Sequence, residues 1–171
     1  MPMEPVKIER GGPDDAAGIV QVLATVVAER IFSAIDAAWT VEQEASYLGS
    51  LSPREALYVA RDSTTSIVGF QTLDLWSTLL PSMAHVGQVG TFLLPGWRGV
   101  SIGRQLWGAT EAFARQVGYE KLVVQVRASN MGARRFYRGL GFTECGLLTR
   151  QVCIDGHFDD ELLMELFLRQ S

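Results

Sequence analysis

The stretch Leu93-Leu94-Pro95-Gly96-Trp97-Arg98-Gly99-Val100-Ser101-Ile102-Gly103-Arg104-Gln105-Leu106 decides the fold of this chain. The residues before it, from His85 to Leu94, mix β-branched and aromatic residues with small ones, which is typical of a buried strand. Pro95 and Gly96 end that strand, because proline has no N–H for a sheet ladder. After the turn, apolar residues recur at steps of three and four, which predicts an amphipathic helix that ends at Gly118. These apolar residues are Ile102, Leu106, Ala109, Phe113 and Val117.

The turn from Arg98 to Gly103 has the features of an anion-binding site. A helix N-terminus offers free backbone N–H groups and the positive end of the helix dipole, and both favour a phosphate. Arg98 stands at the mouth of the turn, and two glycines, Gly99 and Gly103, let an oxygen atom approach the backbone closely. A plain strand-to-helix connection explains the glycines as well. The sequence contains neither Gly-x-Gly-x-x-Gly nor Gly-x-x-x-x-Gly-Lys-Ser/Thr, the two other common phosphate motifs.

A second block of sequence supports the anion-binding interpretation. Lys121 to Arg127 is a β-branched run of strand length, so strand, helix and strand predict a parallel crossover. It is followed by Asn130-Met131-Gly132-Ala133-Arg134-Arg135-Phe136-Tyr137-Arg138-Gly139-Leu140-Gly141-Phe142. Together the two blocks resemble the GNAT superfamily of N-acetyltransferases over roughly residues 85 to 145. The shared patterns are Arg/Gln-x-x-Gly-x-Gly/Ala after one strand and Asn-x-x-Ala-x-x-Phe-Tyr-x-x-x-Gly-Phe after the next.

The chain departs from the family pattern at one position of the turn. Ser101 stands where the family has its first glycine. A serine N–H still donates a hydrogen bond, but the side chain narrows the groove.

The resemblance implies where acetyl-coenzyme A binds. The turn that ends at Arg104 would hold the pyrophosphate, through Arg98, Gly99, Val100, Ser101, Ile102, Gly103 and Arg104. The backbone at Leu93 and Leu94 would pair with the pantetheine arm and face the thioester carbonyl. Asn130 and Ala133 would also contact the cofactor, and Tyr137 would protonate the leaving sulfur.

Each of these roles has a purely structural alternative. Asn130 is also placed to cap the helix that carries Tyr137, and Tyr137 lies on a helix face that suits ordinary core packing. Arg104 could be a solvated helix residue. The general base stays open, because Gln88 stands where some relatives carry a glutamate and cannot titrate. The candidates are Asp74, His85, Glu29 and a chain of water molecules.

Composition predicts one globular domain over residues 1–171, with 47% hydrophobic and 20% charged residues. A formal charge of −4 argues against a nucleic-acid partner. The first ten residues lack the apolar segment of a signal peptide, and no apolar run reaches membrane-spanning length. We therefore expect a cytoplasmic protein without a membrane partner. Cys145 and Cys153 do not have the paired spacing of metal ligands, and we expect them to be buried free thiols. Neither His85 nor His157 lies in a His-Glu-x-x-His pattern, so we predict no metal site.

The remaining patterns complete the predicted fold. They indicate strands at residues 6–10, 57–61 and 67–76, helices from 13 to about 30 and from 40 to 51, and a closing hairpin of residues 142–154 and 162–168. Thr40 and Gln43 fit a capping box at the second helix. These patterns predict a mixed α/β (α+β) domain. The resemblance implies the GNAT fold, a mostly antiparallel mixed sheet with a central parallel strand pair flanked by helices.

The predicted function is acetyl-coenzyme A-dependent N-acetylation of the primary amine of a small molecule such as an amino acid. The tail from Arg150 to Met164 resembles the branch that acetylates amino acids and related small amines. Its carboxylates would attract a cationic amine, and the aromatics Phe32 and Trp39 would favour a hydrophobic body over a long polyamine. The carboxylates are Asp155, Asp159, Asp160 and Glu161. A protein N-terminal acetyltransferase and a non-catalytic acetyl-coenzyme A-binding module are the alternatives, and a homodimer is left open.

Overall fold

The computed structural model describes residues 5–168, which form a seven-stranded sheet with helices on both faces. The elements, in chain order, are β1 (Lys7–Arg10), α1 (Ala16–Ala28), α2 (Val41–Ser50), β2 (Ala56–Arg61), β3 (Ile67–Leu75), β4 (Val86–Leu93), α3 (Ile102–Gln116), β5 (Lys121–Arg127), α4 (Met131–Gly139), β6 (Thr143–Ile154) and β7 (His157–Phe167). The strand order across the sheet is β1-β2-β3-β4-β5-β7-β6. This order of strands and helices along the chain confirms the predicted mixed fold.

Local signals at the element ends act as the sequence predicts. The Thr40 side chain accepts from the Gln43 N–H at 3.1 Å, and the Gln43 side chain accepts from the Thr40 N–H at 2.9 Å. This reciprocal capping box starts α2. Gly118, with φ of +86°, follows the end of α3 in the left-handed conformation that glycine adopts without strain.

The two faces of the sheet carry different helices. α1 and α2 pack on the face that presents Leu57, Val59 and Phe70. α3 packs on the other face, against Ala60, because successive residues of a strand point to opposite sides. It also packs against Val68, which lies beside the irregularity in the β2–β3 register. α4 lies in the same layer as α3, since both helices contribute to one core cluster.

The parallel pairing of β4 with β5 is short, and it opens the sheet. The paired residues are Val86 with Lys121, Gly87 with Leu122 and Gln88 with Val123. Beyond Gln88 the strands diverge, and residues 89–93 of β4 have no β5 partner in the described part of the chain. The gap lies at the carboxyl ends of two parallel strands, where open α/β sheets bind their ligands.

The C-terminal hairpin differs from its prediction in two respects. β7 begins at His157 rather than at residue 162, because a polar run pairs with β6 across a tight turn. Asp155 and Gly156 in that turn have φ of +52° and +78°, as in the two-residue turns that suit hairpins. Cys145 and Cys153 are exposed, so the prediction of buried thiols is wrong. They lie on β6, which is the edge of the sheet.

Among the residues described, no helix is both long and apolar enough to cross a membrane.

Candidate active site

Two cavities meet at the gap between β4 and β5. One, which we call the α3 cleft, has a volume of about 520 Å³ and lies beside the N-terminus of α3. The other, the α2 cavity, has a volume of about 720 Å³ and lies under α2. Both are lined by Phe32, Thr91, Phe92, Asn130, Ala133 and Tyr137. A molecule in one cavity can therefore reach a molecule in the other at this junction.

The turn before α3 is held in an unusual backbone conformation. Gly99 and Ser101 have φ of +72° and +69°, in the left-handed region. Ser101 is the N-cap residue, and its carbonyl accepts the first helical N–H, that of Gln105. The N–H groups of the first turn of α3 have no partner inside the helix, so they are free to bind an anion.

The predicted residues of this turn divide between the cleft and the core. Gly99, Ser101, Gly103 and Arg104 line the α3 cleft, as do Leu93 and Arg98. Val100 and Ile102 instead pack their side chains on the core beneath α3. A side chain at Gly103 would begin 3.0 Å from the Phe136 ring, so this glycine also sets the close approach of α3 and α4.

Arg98 is held by partners within the protein. Its guanidinium forms two hydrogen bonds to the Glu29 carboxylate, at 2.5 and 3.0 Å, and its Nε donates to the Leu93 carbonyl at 3.0 Å. The guanidinium also lies 4.2 Å from the centre of the Phe32 ring. Arg98 therefore ties the turn to the end of α1.

Other arginines supply positive charge to the α3 cleft. Arg104 and Arg135 both line it, and within residues 5–168 neither guanidinium has a hydrogen bond or ion pair. Arg104 was predicted from its place beside the turn. Arg135 was missed, although its position in the second motif, two residues before Tyr137, places it on the helix that borders the cleft.

The end of β4 presents only some of its backbone groups to the gap. The Leu94 N–H donates to the Val68 carbonyl of the neighbouring segment at 2.9 Å, so it is already paired. Because backbone groups alternate in direction along a strand, Leu93 and Thr91 direct theirs away from β3 and toward the gap. Of the two leucines predicted to pair with pantetheine, Leu93 is therefore the one whose N–H faces the gap.

Tyr137 is both a core residue and the polar group at the junction. Its ring packs edge-on against Phe142 at 5.4 Å, and only 5% of the residue is exposed. Its hydroxyl forms a 2.7 Å hydrogen bond with the Thr91 hydroxyl, which also accepts from Gln71 Nε2 at 2.8 Å. Burial raises the pKa of Tyr137 to about 12, and the Thr91 hydrogen bond opposes the shift. The side chain therefore keeps its proton at neutral pH.

Asn130 caps α4, which confirms the structural role predicted for it. Its Oδ1 accepts from the Ala133 N–H at 3.1 Å, and its Nδ2 donates to the Phe32 carbonyl at 3.2 Å. The same side chain thus starts the helix that carries Tyr137 and fixes the segment after α1 beside the junction.

The α2 cavity is acidic, but not for the reason predicted. Of the four tail carboxylates, only that of Glu161 lines it. The other three bond elsewhere: Asp155 to Arg30, Asp159 to Arg127, and Asp160 to the Arg150 N–H. Two further acidic groups line the cavity, Glu44 of α2 and Asp74 of β3.

Glu44 was not identified from the sequence as a candidate site residue. The available signal was its place one helical turn before Leu48, on the stripe that faces the core. Among the predicted bases, Asp74 lines the α2 cavity and Glu29 is paired with Arg98. His85 precedes β4, outside the lining of both cavities.

Phe32 and Trp39, the two aromatics of the predicted apolar wall, line the α2 cavity, and Tyr47 lines it as well. Trp76 does not line it and is exposed.

The fold and the junction of two cavities suit an enzyme that transfers a group from one substrate to another. The model of the acetyltransferase (GNAT) family matches residues 27–142, which is more than half of the chain. The chain belongs to this family. The match confirms the family and the class of enzyme, a GNAT-type N-acetyltransferase, that the two motif blocks predicted.

Solved structures share the whole fold. An N-acetyltransferase from Staphylococcus aureus is 19% identical with a TM-score of 0.89, over 96% of this chain and 99% of that one. A ribosomal-protein-alanine N-acetyltransferase from Brucella melitensis is 20% identical with a TM-score of 0.87, over 95% and 99%. A phosphinothricin acetyltransferase from Sinorhizobium meliloti, in complex with acetyl-coenzyme A, is 16% identical with a TM-score of 0.88, over 95% and 88%. At these identities the likeness establishes the fold. No curated protein matches the chain.

Proposed function

We propose that this chain, as a single domain, transfers the acetyl group of acetyl-coenzyme A to the primary amine of a small molecule such as an amino acid. The observation that carries the proposal is the junction of the α3 cleft and the α2 cavity at the Tyr137 hydroxyl. Two substrates that enter from opposite sides would meet there with their reacting atoms together, which removes much of the entropic barrier.

The α3 cleft fits acetyl-coenzyme A, the acetyl donor of the reaction. The unpaired N–H groups at the start of α3 suit the pyrophosphate, and Arg104 and Arg135 stand beside them without partners among the described residues. The backbone of Leu93 and Thr91 faces the gap, where a pantetheine amide could add to the edge of β4. Asn130 and Ala133 form the opposite wall. Bound there, the cofactor supplies an activated acyl thioester.

The chain's own residues then have separate tasks. The Leu93 N–H, which faces the gap, would donate to the oxyanion, and such a preorganised donor lowers the barrier for acyl transfer. Tyr137 holds a proton on its hydroxyl oxygen at neutral pH and would deliver it to the leaving sulfur. Thr91 orients that hydroxyl through the 2.7 Å hydrogen bond.

The α2 cavity supports a small acceptor. Its volume of about 720 Å³ is in the usual range for small-molecule sites. Aromatic side chains supply an apolar wall, and carboxylates supply an attraction for ammonium groups. We propose that the reaction takes place in the cytoplasm, without a nucleic-acid or membrane partner, and that a homodimer is a candidate assembly.

A thiol-release assay with an amine panel tests the proposal. Initial rates are compared for amino acids, short peptides and amines without a carboxylate, at equal concentration and at a pH where some amine is neutral. We expect small primary amines to be acetylated and peptides to be poor acceptors. A clear preference for peptides would favour a protein N-terminal acetyltransferase. Binding of acetyl-coenzyme A without turnover on any amine would favour a non-catalytic binding module.

A further inference from the structure

A buried acid in the wall of the α2 cavity lacks a partner. Glu44 is 2% exposed and lines the cavity, and its carboxylate has no hydrogen bond or ion pair within residues 5–168. Burial, together with the nearby Asp74 carboxylate, raises the pKa of Glu44 to about 7. A buried carboxylate without a donor is costly unless it takes up a proton or meets a cation. The cavity therefore presents an unsatisfied acidic group to whatever enters it.

A second carboxylate stands beside the first and adds to the negative charge. Asp74, on β3, accepts a hydrogen bond from the Tyr47 hydroxyl at 2.5 Å, and burial raises its pKa. Tyr47 lies one helical turn after Glu44, so the two face the cavity together.

The positively charged side chain in the lining of the α2 cavity is already paired within the protein. Arg127 is the only Lys or Arg among the described residues that line the α2 cavity. Its guanidinium bonds to the Asp159 carboxylate at 2.9 Å and to the Arg30 carbonyl at 2.7 Å. A cationic ligand would therefore supply the partner that Glu44 lacks, and it would lie beside the Asp74 carboxylate.

Asp74 lies away from the reacting centre. Asp74 pairs with Gln88 on β4, and Thr91, the partner of Tyr137, is three residues further along the same strand. At about 3.4 Å per residue, the two positions are roughly 10 Å apart. An amine that reacts beside Tyr137 is therefore far from the Asp74 position, since a hydrogen bond spans only about 3 Å.

We infer that Glu44 and Asp74 bind a second positively charged group of the acceptor, so that the preferred acceptor is a short diamine or a comparable compact dication. The inference rests on the proposed function, because it assumes that the other amine is acetylated at the junction. The aromatic side chains of Phe32 and Trp39 flank the space between the two ends and suit an alkyl chain. A basic amino acid meets the same requirement, whereas an acceptor with a carboxylate at its far end does not.

Three probes of similar length test the inference. They are 1,5-diaminopentane, 1-aminohexane, in which a methyl group replaces the second ammonium, and 6-aminohexanoate, which carries a carboxylate at that end. We expect kcat/KM to fall in this order. Because 1-aminohexane cannot form the charged hydrogen bond, its kcat/KM should be about 10- to 100-fold lower than that of 1,5-diaminopentane.

Variants connect the preference to the two carboxylates. In Glu44→Gln and in Asp74→Asn, the ratio of kcat/KM for the diamine to that for 1-aminohexane should fall toward one. The matched control is Glu42→Gln, an exposed position on the same helix, which should leave that ratio at the parent value. Thermal shift gives a second measurement: the diamine should raise the Tm of the parent protein and not that of Glu44→Gln.

Several outcomes would overturn the inference. One is equal rates for the diamine and 1-aminohexane in the parent protein. A second is an equal loss for all three probes in Glu44→Gln, which would mean that Glu44 acts on the reacting amine. A third is acetylation of other amines in the panel but of none of these three. Failure of every amine would instead remove the proposed function itself.

Discussion

Replacing Ser101 by glycine should stabilise the protein and leave cofactor binding at least as strong. Ser101 has φ of +69° and ψ of −7°, in the left-handed region where a Cβ meets the carbonyl oxygen. That conformation costs an L-residue about 1–2 kcal/mol, and glycine adopts it freely. Glycine is also more flexible in the unfolded chain, and this offsets about 0.5–1 kcal/mol of the stabilisation.

The net gain from Ser101→Gly is therefore about 0.5–1 kcal/mol. The serine hydroxyl contributes little against it, since its hydrogen bond is an exposed 3.3 Å contact from Gln105. For a domain of this size, 1 kcal/mol corresponds to about 2–4 °C, so we expect Tm to rise by about 1–4 °C. The N–H of residue 101 is retained in the variant, and removing its side chain widens the groove for a phosphate.

The measurements are a thermal melt and a calorimetric titration with acetyl-coenzyme A. Thr65→Gly is the matched control, because Thr65 has the same φ of +69° in the turn between β2 and β3. It should also raise Tm, without changing the affinity for acetyl-coenzyme A. If Ser101→Gly binds the cofactor more weakly while Thr65→Gly does not, the serine hydroxyl is a specific contact and the reasoning is refuted. A fall in Tm for Ser101→Gly would refute the strain argument.

Three further variants test other parts of the site. Tyr137→Phe should lower kcat by about 10²–10⁴-fold with little change in acetyl-coenzyme A affinity, and a kcat within about twofold of the parent would leave Tyr137 a packing residue. Gly103→Asp should abolish acetyl-coenzyme A binding in calorimetry and lower Tm, because its Cβ would meet the Phe136 ring at 3.0 Å and its charge would repel a phosphate. Gly108→Asp, on the same helix with open space around it, is the control and should do neither. Glu44→Gln should be more stable than the parent at pH 8, and the difference should vanish near pH 4.5. The pKa of Glu44 is raised to about 7 in the folded protein, from 4.5 in the unfolded chain. The buried carboxylate therefore lowers the stability of the parent as the pH rises from 4.5 to 7. Equal Tm values for Glu44→Gln and the parent at pH 8 would contradict this.

The ends of the helices and strands, and the turn before α3, could be predicted from residues that lie close together along the chain. Pro95 and Gly96 ended β4, and the reciprocal hydrogen bonds of Thr40 and Gln43 began α2. Asn130 capped α4 through the N–H of a residue three positions away. Signals of this kind act within one or two turns of backbone, so the sequence alone predicts them.

The contents of the cavities were decided by tertiary structure. Arg98 bonds to Glu29, 69 positions away, and Asp74 bonds to Tyr47, 27 positions away. Neither pairing has a local pattern, because each depends on how α1 and α2 lie over the sheet. Local patterns in the sequence were therefore enough to predict the family, most of the elements and the turn before α3. Only the packing of helices on the sheet could bury Glu44 without a partner, since burial is a property of the surrounding chain and not of the residue.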